Sequence, residues 1–138
     1  MNGWLGAPWI LWAAVALGSA VGGVARYAVG LLAGRHAALG WPWGTFLVNV
    51  LGCLVIGVVA GWWAGRGQPP LPRALVMVGV LGGFTTYSSF ALESVQLWGQ
   101  GLGTRAVGYV MITTLACLFA AAAGLWLWQQ FFSAVPRG

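Results

Sequence analysis

The sequence predicts an all-α integral membrane protein with four transmembrane helices, the third broken mid-membrane. Three observations carry this prediction. First, 60% of the 138 residues are hydrophobic and only 5% are charged, where a soluble domain carries about 25% charged residues. So few charges cannot coat a soluble fold. Second, four apolar segments alternate with short connectors rich in Gly, Pro and Arg, and each segment reaches the roughly 20 residues that a helical span needs. The expected spans are 9–32, 44–64, 74–98 and 105–131, in one membrane domain over 1–138. Third, the run Gly82-Gly83-Phe84-Thr85-Thr86-Tyr87-Ser88-Ser89-Phe90 interrupts the third segment.

The first span carries Gly18 and Gly22, a small-residue pair that lets another helix approach closely. Arg26 lies well inside the same span. A charge there must face protein or water, or snorkel to the interface about two turns away. The connector that follows holds His36, the single histidine. A lone loop histidine reads as solvated. Pro42 suits a helix N-terminus.

In the second span Thr45, Asn49 and Cys53 recur every fourth residue and share one face. The Asn49 amide must hydrogen-bond a neighbouring helix, water or a transported species. Gly57, Gly61 and Gly65 form a second close-approach stripe. Residues 66–73 contain three prolines, which forbid a continuous helix.

The third span holds the Gly82–Phe90 run. Paired Gly, paired Thr and paired Ser all lower helix propensity. Irregular backbone at membrane depth survives only inside protein or along a wet cavity. The break is expected over Gly82–Ser89. Its freed carbonyls and amides would supply an ion site. Glu93, the single acid, lies near the end of this span and reads as an interfacial residue or as the vestibule of an ion path. In the fourth span Tyr109, Thr113 and Cys117 repeat the every-fourth spacing.

Ten tryptophans cluster at the predicted span ends, as indole prefers the headgroup level. With both termini inside, Arg66, Arg73 and Arg137 face Arg35 and Arg105 on the other side. So weak a bias allows insertion both ways. Two inverted copies would then supply an inverted repeat.

The scattered arginines form no nucleic-acid patch. The chain has no paired carboxylates, no His/Cys metal set, no phosphate loop and no nucleophile with a base, which argues against an enzyme. Neutral donors under a net charge of +5 suit an anion. A small, strongly hydrated anion needs many donors to replace its water, and weakly positive aromatic edges help.

Gly22-Gly23-Val24-Ala25-Arg26-Tyr27, Gly44-Thr45-Phe46-Leu47-Val48-Asn49 and Gly82–Phe90 followed by Glu93 resemble the CrcB/Fluc fluoride channels across essentially the whole chain. The resemblance implies a dual-topology antiparallel homodimer in the cell inner membrane, surrounded by lipid. It implies two pathways that passively release cytoplasmic fluoride and exclude chloride. It implies a structural sodium ion on the dimer axis, held by the backbone carbonyls of Gly82 and Thr85 from both chains. Asn49, Tyr87 and Phe90 would line the fluoride path. Thr45, Ser89, Tyr109, Thr113 and Cys117 would continue a polar track, with Glu93 at a vestibule and Arg26 near one. The family usually has Phe where this chain has Tyr87, and a hydroxyl where it has Cys117.

Two other classes remain open from sequence. A small dual-topology proton-coupled multidrug exporter shares the architecture but needs a central acid, typically in the first span, which has none here. A non-transporting scaffold held by its glycine faces would leave the polar stripes without a use.

Overall fold

The computed structural model describes residues 9–34, 40–64 and 69–132. All regular structure among them is helical: α1 (Trp9–Gly34), α2 (Trp43–Trp63), α3 (residues 70–84), α4 (Tyr87–Gly99) and α5 (Gly103–Phe132). Four stretches are long and apolar enough to cross a membrane: Trp9–Gly34, Trp43–Trp63, Pro70–Gly99 and Gly103–Phe131. They coincide with the expected spans to within a few residues. Arg35, His36, Gly65, Arg66 and Arg137 lie outside the described residues.

Helix ends follow from local chemistry. Pro42 precedes α2 and accepts from Phe46 N–H at 3.1 Å. At the end of α4, Gly101 takes φ +77°. Its N–H donates to Trp98 O, and Leu102 N–H donates to Leu97 O, both at 3.0 Å. This is the left-handed glycine stop that satisfies terminal carbonyls. Leu102 also packs on the cluster containing Leu97.

The helices associate in two pairs, α1 with α3 and α2 with α5. Glycine permits both contacts. A Cβ on Gly18 would collide with Leu75 O, and one on Gly22 with Val80 O. The expected close-approach face of the first span therefore meets α3. In the second pair, a Cβ on Gly57 would collide with Ala121 O, and one on Gly124 with Leu54 O. Without a hydrophobic drive between helices in lipid, such backbone proximity is what gives dispersion its reach.

The third span is interrupted, but over a shorter stretch than the sequence suggests. α3 is α-helical at Pro70–Pro72, π-helical over Arg73–Leu81 and α-helical again at Gly82–Phe84. The two glycines stay helical. Gly83 is needed for proximity instead, since a Cβ there would sit 2.7 Å from Ser19 O. Only Thr85 (φ −80°, ψ 159°) and Thr86 (φ −150°, ψ 107°) are extended. Both are β-branched, which favours extended backbone. Gly52 of α2 makes room for this bend, because its Cβ would collide with Thr85 Cγ2.

Candidate functional site

Two extended residues inside a bundle leave backbone groups that a helix would have paired. The Thr86 N–H would reach the Gly82 carbonyl in a continuous helix. Here it donates to Asn49 Oδ1 at 2.7 Å, and Asn49 Nδ2 donates to Thr86 O at 3.0 Å. One amide therefore pairs both backbone groups of Thr86, and the Gly82 carbonyl loses its usual partner. Asn49 is 9% exposed, and one of its N–H groups is left over. The Thr86 side chain then starts α4. Its Oγ1 accepts from Ser89 N–H at 3.2 Å and donates to Ser89 Oγ at 2.9 Å. This is an N-cap, which satisfies an orphan amide at the helix start.

The polar stripes of α2 and α5 face each other in one register. At the first rung, Thr45 Oγ1 donates to Glu93 Oε1 and Tyr109 OH donates to Glu93 Oε2, each at 2.7 Å. At the second, Asn49 and Thr113 line one cavity. At the third, Cys53 and Cys117 line that same cavity. The every-fourth spacing on both helices produces this ladder.

Glu93 is thus not an interfacial side chain reaching for water. It is half-buried, with each oxygen held by a hydroxyl. Hydrogen bonds to a charged group contribute about 1.5–3 kcal/mol each, enough to hold the side chain in the bundle. Tyr109 is fully buried and its hydroxyl donates to Glu93, whereas Thr113, 3% exposed, has a buried Oγ1 with no partner. In the expected track Tyr109–Thr113–Cys117, only the middle hydroxyl is uncommitted.

Aromatic rings wall the ladder. Phe90 is buried between Tyr87 (centroids 5.6 Å) and Tyr109 (5.3 Å). Trp41 meets Tyr109 edge-on at 5.3 Å and 89°.

A clamped break in the third span, faced by two polar stripes and aromatic rings, is the feature that comparison with known proteins can place. The profile of the family described as "CrcB-like protein, Camphor Resistance (CrcB)" matches residues 13–125. This chain belongs to the CrcB family. Similar proteins named "Fluoride-specific ion channel FluC" include one from Hyphomonas neptunium, 43% identical over 121 residues, covering 86% of this chain and 95% of that protein. One from Paracoccus denitrificans is 45% identical over 119 residues, covering 86% and 94%. One from Chloroflexus aurantiacus is 40% identical over 119 residues, covering 86% and 94%. By name these CrcB relatives are ion channels, not enzymes.

In this CrcB chain two cavities flank the break. The first, about 260 Å³, is lined by Arg26, Trp41, Thr45, Thr86, Ser89 and Glu93 among others. Arg26 does not snorkel. Its Nη1 donates to Thr85 O at 3.3 Å, so the guanidinium turns toward the break. The second, about 420 Å³, is lined by Asn49, Gly82, Thr85, Tyr87, Phe90 and Thr113 together with both cysteines. Thr86 borders the first cavity and its clamp partner Asn49 the second, so the clamp is the partition between them. Gly82 and Tyr87 face outward, Tyr87 being 79% exposed.

The structure therefore gathers Arg26, Thr45, Ser89 and Glu93 on one side, and Tyr87, Phe90, Thr113 and Cys117 on the other. Two members have a role that the sequence did not give them. Thr86 is the clamped residue and the N-cap; the Thr-x-x-Ser spacing before an apolar run was its signal. Trp41 lines the first cavity, and its indole Nε1 is buried without a partner. A tryptophan at a span end reads as belt, so no local pattern marked it.

Proposed function

We propose that this chain is a fluoride-selective channel that lets cytoplasmic fluoride leave passively down its gradient, working as an antiparallel homodimer with two pathways. The relatives' printed name supports fluoride as the ion. The observation in this chain that carries the reading is Thr113 Oγ1, a buried hydroxyl with no partner, on a residue that lines the same cavity as Asn49. An unpaired polar group in a bundle costs about 1–3 kcal/mol, and a dehydrated anion accepting from it removes that cost.

Fluoride enters over Arg26, whose charge offsets that of Glu93 in the first cavity. It crosses the partition by exchanging water for the Ser89 hydroxyl, the spare Asn49 N–H and the Thr113 hydroxyl, with the edge of Phe90 alongside. Thr45 and Tyr109 act indirectly, since their protons hold Glu93 in place. Larger anions need fewer donors to replace their hydration but more room, and the clamp gives them little.

Three features support the dimer in inverted orientation. The weak arginine asymmetry allows both insertions. Tyr87 and Gly82 face away from their own bundle. Four helices are also few to enclose a pathway alone. A sodium ion on the dimer axis fits the donors present. The carbonyl of Gly82 has lost its helical partner, and both carbonyls are neutral oxygens suited to a hard monovalent cation. Thr85 O already accepts a long bond from Arg26 and has a second lone pair to offer. The ion would supply positive charge that draws two breaks together; Gly82 and Thr85 of each copy would hold it. The membrane would be the cell inner membrane.

Thr113→Val tests the reading, because it removes the donor while keeping the volume. Fluoride efflux from liposomes should fall by at least about tenfold, the loss of one hydrogen bond to a charged species. Unchanged efflux from folded Thr113→Val protein would refute the pathway.

A further inference from the structure

The chain holds two cysteines in all, both free, and the fold brings them together. Cys53 stands on α2 and Cys117 on α5, at the third rung of the ladder. Both are half-buried, both border the second cavity with Met77, and the two helices approach closely one turn further on, where Gly57 meets Ala121. We propose that Cys53 and Cys117 form a two-coordinate site for a soft, thiophilic divalent cation, and that its occupation blocks the pathway. The block rests on the channel reading; the site does not.

Ligand softness and charge select the ion. Thiolates favour soft metals. Zinc in a structural site takes four ligands, and among the described residues no group of three or more His, Cys, Asp or Glu could hold a metal. Two thiolates around a divalent ion sum to zero charge. That matters in a wall that also contains Ile56, Leu81 and Leu118, where a net charge is expensive. Mercury(II), which accepts two opposed sulfurs, meets both conditions. Each S–H bond breaks and one S–metal bond forms in its place; two protons leave, and no electron moves. A turn about χ1 of either cysteine adjusts its sulfur to face the other across the ion. Once there, it stands on the same wall as Asn49 and Thr113.

The test adds one equivalent of mercuric chloride per chain to the purified full-length protein. Native mass spectrometry should find one mercury per chain with two protons lost, and maleimide should then label neither cysteine. Cys53→Ala should hold mercury about a hundredfold more weakly against a competing monothiol, because the second sulfur no longer binds intramolecularly. Cys53→Ser serves the same comparison if the alanine variant does not fold. A maleimide-reactive cysteine after one equivalent, or undiminished retention by the variant, would overturn the site. In liposomes, mercury-loaded protein should lose its fluoride efflux and a dithiol chelator should restore it. Unchanged efflux from loaded protein would overturn the block. Silence of the untreated protein would instead count against the channel reading and leave the mass result standing.

Discussion

Replacing Asn49 with alanine removes the clamp on the broken span, and the structure sets the size of the effect. Two bonds are lost, the 2.7 Å one from Thr86 N–H and the 3.0 Å one to Thr86 O. Thr86 is buried and lies at the extended point of the third span, so its N–H has no helical partner to fall back on, whereas its carbonyl, at the N-cap of α4, keeps the first bond of that helix. Interhelical hydrogen bonds in membrane proteins average only about 0.6 kcal/mol, which puts the floor near 1.2 kcal/mol for two. That average includes groups that find other partners. An orphaned buried group costs about 1–3 kcal/mol; the N–H is one, and with the average loss for the bond to Thr86 O the total is about 2–4 kcal/mol. The absence of any alternative partner for the N–H favours the larger range. The assay is unfolding by titration with a denaturing detergent, followed by tryptophan fluorescence and compared with wild type. A loss of at least about 2 kcal/mol is expected, with fluoride efflux abolished in whatever protein remains folded. A loss below about 0.5 kcal/mol would show that Asn49 does not carry the break, and the argument from backbone pairing would fail.

Other residues give independent tests. Gly124→Ala should separate α2 from α5, since its Cβ meets Leu54 O and lies 2.9 Å from Val58 N; a loss of about 1–3 kcal/mol in the same titration is expected. Gly108→Ala, in the same helix with nothing within 4 Å, should instead gain about 0.5–1 kcal/mol from helix propensity. Tyr109→Phe removes one of two bonds to Glu93 at a fully buried site and should cost about 1.5–3 kcal/mol, read in the same way. Phe90→Ile should stop fluoride efflux while leaving assembly intact by size-exclusion chromatography. Adding Lys to one loop should force a single orientation; such protein should be inactive alone and recover on mixing with its opposite, and activity alone would refute the inverted pair.

Span positions were legible because lipid allows few solutions: apolar length, proline connectors and tryptophan ends all point to the same boundaries. The glycine faces at Gly18, Gly22 and Gly57 were legible for the same reason, since a missing side chain in a span has few other uses. The break was harder. Gly82 and Gly83 are the weakest helix formers in the run, yet they remain helical, and Gly83 serves a close approach to Ser19 instead. The unwound residues are two threonines, selected by a partner thirty-seven positions away in sequence. Glu93 stayed open between an interfacial and a vestibule reading for a related reason. Distance from a span end suggests water, but Thr45 and Tyr109 were waiting in the bundle with two hydroxyls. The register that sets Thr45 beside Tyr109 and Cys53 beside Cys117 depends on how α2 meets α5, and no single helix contains that information.

Fluoride efflux from liposomes containing the purified chain and sodium, read with a fluoride electrode beside chloride-loaded vesicles, tests the central claim most directly. Fast fluoride release with negligible chloride release is the predicted result. Silence for fluoride from protein shown to be folded and dimeric, or equal release of chloride, would contradict it.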